Sequence, residues 1–151
     1  GVVLLPPGDG ASGRYAVEAD LLLFPESGNN GYGIVIGGGD PQGDRPVTTW
    51  TEFVLSGEGK VAVFRQSAEG RATLLAWQPH SAILVRGTDV VTNRLRVLVE
   101  RDSVRVSVNG TRIGAVPTGA VKADGIFGVR IDEGLNLHIT NVDIVRRLLK
   151  R

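Results

Sequence analysis

The chain has 151 residues, with 17 basic and 16 acidic side chains, a formal net charge of +1, and neither cysteine nor methionine. A single domain of this size buries a core without metal or disulfide staples; the balanced charge gives no field to draw nucleic acid or an anionic membrane, and thiolate and disulfide chemistry are excluded. The 21 glycines, roughly twice the usual share and without a collagen-like period, point to many tight turns and an all-β chain.

In chain order, a sequence without methionine that opens on glycine reads as a piece of a longer protein, with Gly1 a remnant of processing. Val2 to Leu5 predict an edge strand stopped by Pro6-Pro7, far short of the roughly 20 apolar residues of a membrane span. "YAVEADLLLF" (15–24) alternates apolar Tyr15, Val17, Ala19, Leu21 and Leu23 with Glu18, Asp20 and Leu22. Glu18 and Asp20 therefore share one face, and a carboxylate pair is what a glycosidase needs. The E-x-D-x-x-E pattern of sandwich glucanases is broken at Leu23, and a solvated outer face is the plainer reading. "YGIVIGG" (32–38) predicts a strand bounded by glycines. The following "IGGGDPQG" lacks the strand–glycines–helix setting of a dinucleotide site. Its Asp40 and Asp44 offer two oxygen donors for a possible calcium ion, although a solvated turn accounts for them as well.

"TTWTEFVLSGEGKVAVFRQ" (48–66) predicts a hairpin about Ser56-Gly57-Glu58-Gly59, pairing Leu55 with Lys60, Val54 with Val61 and Trp50 with Arg65. That register puts Thr51, Phe53, Leu55, Ala62 and Phe64 in the core and Trp50, Glu52, Val54, Val61, Val63 and Arg65 outside. "SGEGKV" has no Ser or Thr after its lysine and is not a phosphate loop. An indole opposite a guanidinium, with Glu52 diagonal, suits a cation–π contact. A flat apolar plate with fixed polar partners is what a sugar requires; it is equally an ordinary cross-strand cluster, and packing is the plainer of the two. Trp77 of "LLAWQP", after an apolar run, reads as buried. His80 and His138 are isolated, without the spacing of a zinc pair, and no G-x-S-x-G elbow occurs.

"NRLRVLVERDSVRVSVNGTRIGAV" (93–116) predicts three strands with turns at Arg101-Asp102 and Asn109-Gly110. Asn-Gly is the preferred pair of a type I′ turn, because both positions need positive φ. Val104, Val106 and Val108 then face the core while Arg105 and Ser107 face away. Asn109-Gly110-Thr111 also matches a glycosylation sequon, but the turn explains it better. "GIFGVRI" (125–131) and "LNLHITNVDIV" (135–145) complete the strands, and the tail "VDIVRRLLKR" is the one helical candidate, with strand to about Val145. Short strands with turn signals every eight to twelve residues indicate a sandwich or barrel.

Taken in order, "VEADLLL", "YGIVIG", "EFVLSGEGKVAVFR", "LLAWQPHSAI", "NRLRVLV", "VSVNG", "GIFGVRI" and "ITNVDIV" resemble the concanavalin A-like lectin/glucanase domains. The nearest pattern is the laminin-G-like group that includes domain of unknown function 1080, the 3-keto-disaccharide hydrolase-like domains. The resemblance spans about residues 15–146. It implies a single all-β domain, a two-sheet antiparallel jelly-roll sandwich with one concave face. It further implies a module appended to a larger secreted, periplasmic or membrane-attached bacterial protein, some of whose relatives act on glycosides. The chain lacks the "F-x-x-L-F-N-G-x-x-L-x-x-W" opening of the longer, enzyme-like members, and carries Thr140-Asn141 where the group has Phe-Asp.

The expectation is a non-catalytic module that binds an oligo- or polysaccharide outside the cytoplasm, without nucleic acid, membrane insertion or a cofactor beyond the possible calcium. Trp50 would stack on a sugar ring, Glu52 and Arg65 would hydrogen-bond its hydroxyls, and Tyr32 would lie adjacent. Two alternatives stand beside it: a glycoside-active enzyme using Glu18, Asp20 or Glu52, and a ligand-free structural or oligomerisation domain.

Overall fold

A computed structural model describes residues 2–4, 10–25, 27–28, 30–39 and 49–146. The possible calcium donors Asp40 and Asp44, Leu5 and the tail beyond 146 lie outside the described residues. The strands are β1 (Val2–Leu4), β2 (Gly10–Ala11), β3 (Tyr15–Leu23), β4 (Gly31–Gly38), β5 (Trp50–Ser56), β6 (Lys60–Ser67), β7 (Gly70–Pro79), β8 (Val91–Val99), β9 (Ser103–Val108), β10 (Thr111–Pro117), β11 (Gly125–Ile131) and β12 (Leu137–Arg146). Every pairing is antiparallel. A seven-stranded sheet runs β1-β11-β4-β5-β6-β7, with β2 also on β11, and a five-stranded sheet runs β10-β9-β8-β3-β12. Among the described residues the sole helix is a three-residue 3-10 turn, Thr118–Ala120. The architecture is a two-sheet antiparallel jelly-roll sandwich.

Alternation builds the core. Tyr15, Val17, Ala19, Leu21 and Leu23 of β3 meet Tyr32, Ile34 and Ile36 of β4 and Phe53 and Leu55 of β5, joined by alternate residues of β8 and β9. Each such side chain removed from water contributes about 1.5–3 kcal/mol before conformational entropy is counted. The β9–β10 hairpin turns at Asn109 (φ 53°) and Gly110 (φ 85°), the double positive φ of a type I′ turn. The Asn109 amide nitrogen donates to the Ala82 carbonyl and to Asn93 Oδ1, each at 3.0 Å, while its Oδ1 accepts from the Arg94 N–H at 2.9 Å. Val104, Val106 and Val108 are buried as predicted.

The β5–β6 hairpin differs from the sequence expectation by one residue. Its partners are Leu55–Val61, Val54–Ala62, Glu52–Phe64, Thr51–Arg65 and Trp50–Gln66. The Gly59 N–H closes the turn on the Ser56 carbonyl at 3.0 Å, and Gly59 itself has φ +84°. A turn followed by a left-handed glycine is a three-residue loop with a bulge, not the plain four-residue turn expected. A one-residue slip moves a whole strand to the other face. The β5 half of the expectation is correct, and the β6 half is inverted: Val61 and Val63 enter the core, whereas Ala62 and Phe64 pack with Val54 on the outer face.

Candidate functional site

Glu52 faces away from the inter-sheet core, yet its side chain is only 6% exposed. A carboxylate removed from water must be paired and hydrogen-bonded. Its Oε1 accepts from Trp50 Nε1 at 2.9 Å, two residues along the same face of β5. Its Oε2 accepts from Arg71 of β7 at 3.2 Å and from Arg130 of β11. Arg130 turns its remaining edge to Asp132, with both bonds at 2.9 Å, and the Gly31 N–H reaches the same carboxylate at 3.0 Å. Burial opposes the Asp132 charge, but the Arg130 hydrogen bond, the Gly31 N–H and the Arg130 charge outweigh it and hold the carboxyl below its ordinary range. Burial likewise opposes the Arg130 charge, and Asp132 and Glu52 together keep the guanidinium above its ordinary value.

Beside this polar cluster lies an aromatic one. The guanidinium carbon of Arg71 sits 3.7 Å from the centroid of the Phe64 ring. Phe64 in turn meets Trp77 edge to face, with centroids 5.9 Å apart, a favoured quadrupolar arrangement. Phe64 is buried, while Trp77 is 43% exposed. A groove of about 400 Å³ runs along this outer face, lined by Phe64, Trp77, Arg71, Arg130, Asp132 and Lys60, with Ser56 and Glu58 of the hairpin end. Lys60 and Glu58 face each other at 3.5 Å. The arrangement offers a ligand a flat indole, a guanidinium held over the face of an aromatic ring, and fixed hydrogen-bonding partners.

Of the residues singled out from sequence, the structure brings Trp50 and Glu52 together on the outer face, and Glu52 supports the groove from beneath. Arg65 and Tyr32 require correction. Arg65 pairs across from Thr51, donates to the Ala120 carbonyl at 3.3 Å and borders a separate groove with Thr49, Ser67 and Glu69. The hairpin bulge puts it on the opposite face from Trp50 and Glu52. Tyr32 is wholly buried between the sheets, where its hydroxyl accepts from Asn93 Nδ2 at 3.0 Å; alternation from Gly31 and Gly33 outward fixes it inward. Trp77, read as buried, is exposed because β7 carries two register shifts that break a simple alternation. Arg71 and Trp77 of β7 and Arg130 of β11 lie far in sequence from Glu52 of β5, so no local motif announces them.

The carboxylates Glu18 and Asp20 stand elsewhere, on the outer face of the five-stranded sheet. Arg94 bonds Glu18 at 3.2 Å, Asp20 at 3.1 Å and Asp143 at 2.9 Å. The Asn141 amide, at a left-handed bulge in β12, donates to Asp20 at 2.7 Å. That hydrogen bond, ahead of the Arg94 contacts, holds the Asp20 carboxyl below its ordinary range. Glu18 and Asp20 therefore do not share a cleft with Glu52. No group of three or more metal-ligating side chains occurs among the described residues.

No family model matches the chain, and no curated protein does. Solved structures do. The chain is similar to the carbohydrate binding module CBM66 from Bacillus subtilis, with a TM-score of 0.68 and 13% identity over 88% of this chain and 75% of that one. It is also similar to chicken galectin 2, with a TM-score of 0.67 and 9% identity over 96% of this chain and 100% of that one. A toad ovary galectin solved as a complex with thio-digalactose gives a TM-score of 0.62 and 11% identity over 95% and 98% of the two chains. These likenesses are of fold, the two-sheet antiparallel jelly-roll sandwich.

Proposed function

We propose that this chain is a non-catalytic carbohydrate-binding module whose ligand lies in the groove on the outer face of the seven-stranded sheet. Trp77 stacks on one face of a sugar ring, and Arg71, together with the exposed edge of the Arg130–Asp132 pair, hydrogen-bonds its hydroxyls. One observation carries the reading: a half-exposed indole stands beside a guanidinium–carboxylate cluster whose members are locked by one another. A rigid site costs little further entropy on binding, and a ring hydroxyl can both donate and accept, which suits a rim of mixed charge. The fold is shared with modules that bind sugars, which adds support without locating a site. We further read the chain, on the order of its sequence motifs, as one part of a larger extracytoplasmic protein.

The test is a panel of immobilised oligosaccharides probed with the wild-type chain and with Trp77→Ala. A bound glycan whose affinity falls about tenfold or more in the variant, the loss of some 1.4 kcal/mol, with an unchanged melting temperature, supports the site. Binding that survives Trp77→Ala undiminished moves the site elsewhere, and a blank panel removes the sugar reading.

A further inference from the structure

The carboxylates Glu52 and Asp132 are already spent on protein groups, whereas two of the groove's cations, Arg71 and Lys60, are only partly engaged. Glu52 is 6% exposed, and its two oxygens accept from Trp50, Arg71 and Arg130. Asp132 accepts two bonds from Arg130 and one from the Gly31 N–H. Little acceptor capacity remains for a ligand. Arg71 is different. Its side chain is 41% exposed, and among the described residues one Nη2–H bond to Glu52 is its only hydrogen bond. A guanidinium has five N–H donors in a planar fork, so most of this one is unspent. Its contact with the Phe64 ring, 3.7 Å from guanidinium carbon to centroid, restrains it, and a guanidinium fork matches two oxygens of a carboxylate or sulfate in two-point fashion. Lys60 lines the same groove, its ammonium making a 3.5 Å contact with Glu58 among the described residues.

Resting on the carbohydrate reading above, we propose that the groove selects a saccharide bearing an anionic group, a uronic-acid carboxylate or a sulfate ester, held on the free edge of Arg71 with Lys60 contributing charge. Glu58, the one groove carboxylate with a single loose partner, opposes that group and tempers the affinity. Such binding weakens as salt rises, because the groove is open to solvent and its charges are screened.

The experiment compares matched probes: oligogalacturonate against its methyl ester, and a sulfated against an unsulfated galactoside oligomer. Each is titrated calorimetrically at low and at physiological salt into the wild type, Arg71→Gln, Arg71→Lys and Glu58→Gln. The expected result is at least about tenfold tighter binding of one charged probe than of its neutral partner, of the size of a charge-assisted bidentate contact. That preference disappears in Arg71→Gln, is partly kept in Arg71→Lys, and grows in Glu58→Gln. Circular dichroism and melting curves certify that each variant is folded, and the salt dependence of the wild type gives a readout free of any substitution. The carboxylate and sulfate arms separate the two sources of charge. Equal binding of charged and neutral probes, lost on Trp77→Ala, overturns the anionic preference and leaves the sugar reading intact. No binding by any probe overturns both.

Discussion

At Asp132 the low dielectric works against ionisation and three N–H bonds from Arg130 and Gly31 work for it, and the bonds win. Its folded value lies below that of the unfolded chain, near 4, so the unfolded state takes up its proton first. The stabilisation is complete above about pH 5 and is lost as pH falls through the folded value. Asp132→Asn should therefore lower the melting temperature at pH 7, with the gap from wild type closing as pH is taken from 5 towards 3. A gap independent of pH in thermal melts would mean that the carboxylate's charge contributes nothing. The residue scale is also where sequence reading was weakest. Glu52 could be singled out, because Trp50 and Glu52 are two apart on a strand and must share a face. Its partners could not, since Arg71 and Arg130 are brought to it from β7 and β11.

For whole strands, one residue in a turn decides which face a side chain joins. Gly59 adopts φ +84°, and a Cβ there would come within 3.1 Å of a Val85 methyl. A residue with a Cβ pays roughly 1–2 kcal/mol in the left-handed region. Gly59→Ala should thus lower stability by about that amount, read as a shift of a few degrees in melting temperature for a chain of this size. Gly119→Ala serves as the control: its φ is not positive and nothing lies within 4 Å of its Cβ, so it should stay within about 0.5 kcal/mol of wild type. Equal melting temperatures for the two variants would contradict the bulge. The same bulge explains what was legible. Strands β3, β8 and β9 announce themselves by alternation, and Asn109-Gly110 names its own turn. The β5–β6 register was missed because Ser-Gly-Glu-Gly accommodates either a plain turn or a turn with a bulge, and only the second inverts β6. Strand β7 was missed because "RATLLAWQP" has no period of two. Its two bulges put Leu74 and Leu75 side by side against the core and deliver Trp77 to the surface.

Across the whole molecule, the two outer faces carry different chemistry. On the seven-stranded sheet an indole, two guanidiniums and two carboxylates converge on a groove. On the five-stranded sheet one guanidinium, Arg94, gathers three carboxylates, and an exposed ring there, His138, lies against Phe24 with centroids 4.7 Å apart. A network of that kind on an open surface saturates itself, and exposed ion pairs contribute little individually. Of the three carboxylates named for the glycoside-active alternative, Glu18 and Asp20 lie on the far side of the sandwich from Trp77, and Glu52 lies on the groove's own face with its oxygens accepting from Trp50, Arg71 and Arg130. The double variant Glu18→Gln, Asp20→Asn should bind the best glycan of the panel with wild-type affinity, within about twofold, because the faces are a full sandwich thickness apart and such distant sites act independently. It should lose some thermal stability, since of its three carboxylates Arg94 keeps only Asp143. A fall in glycan affinity comparable to that of Trp77→Ala, in a variant that still melts cooperatively, would place the ligand on the five-stranded face and return the Glu18–Asp20 pair to consideration as working carboxylates.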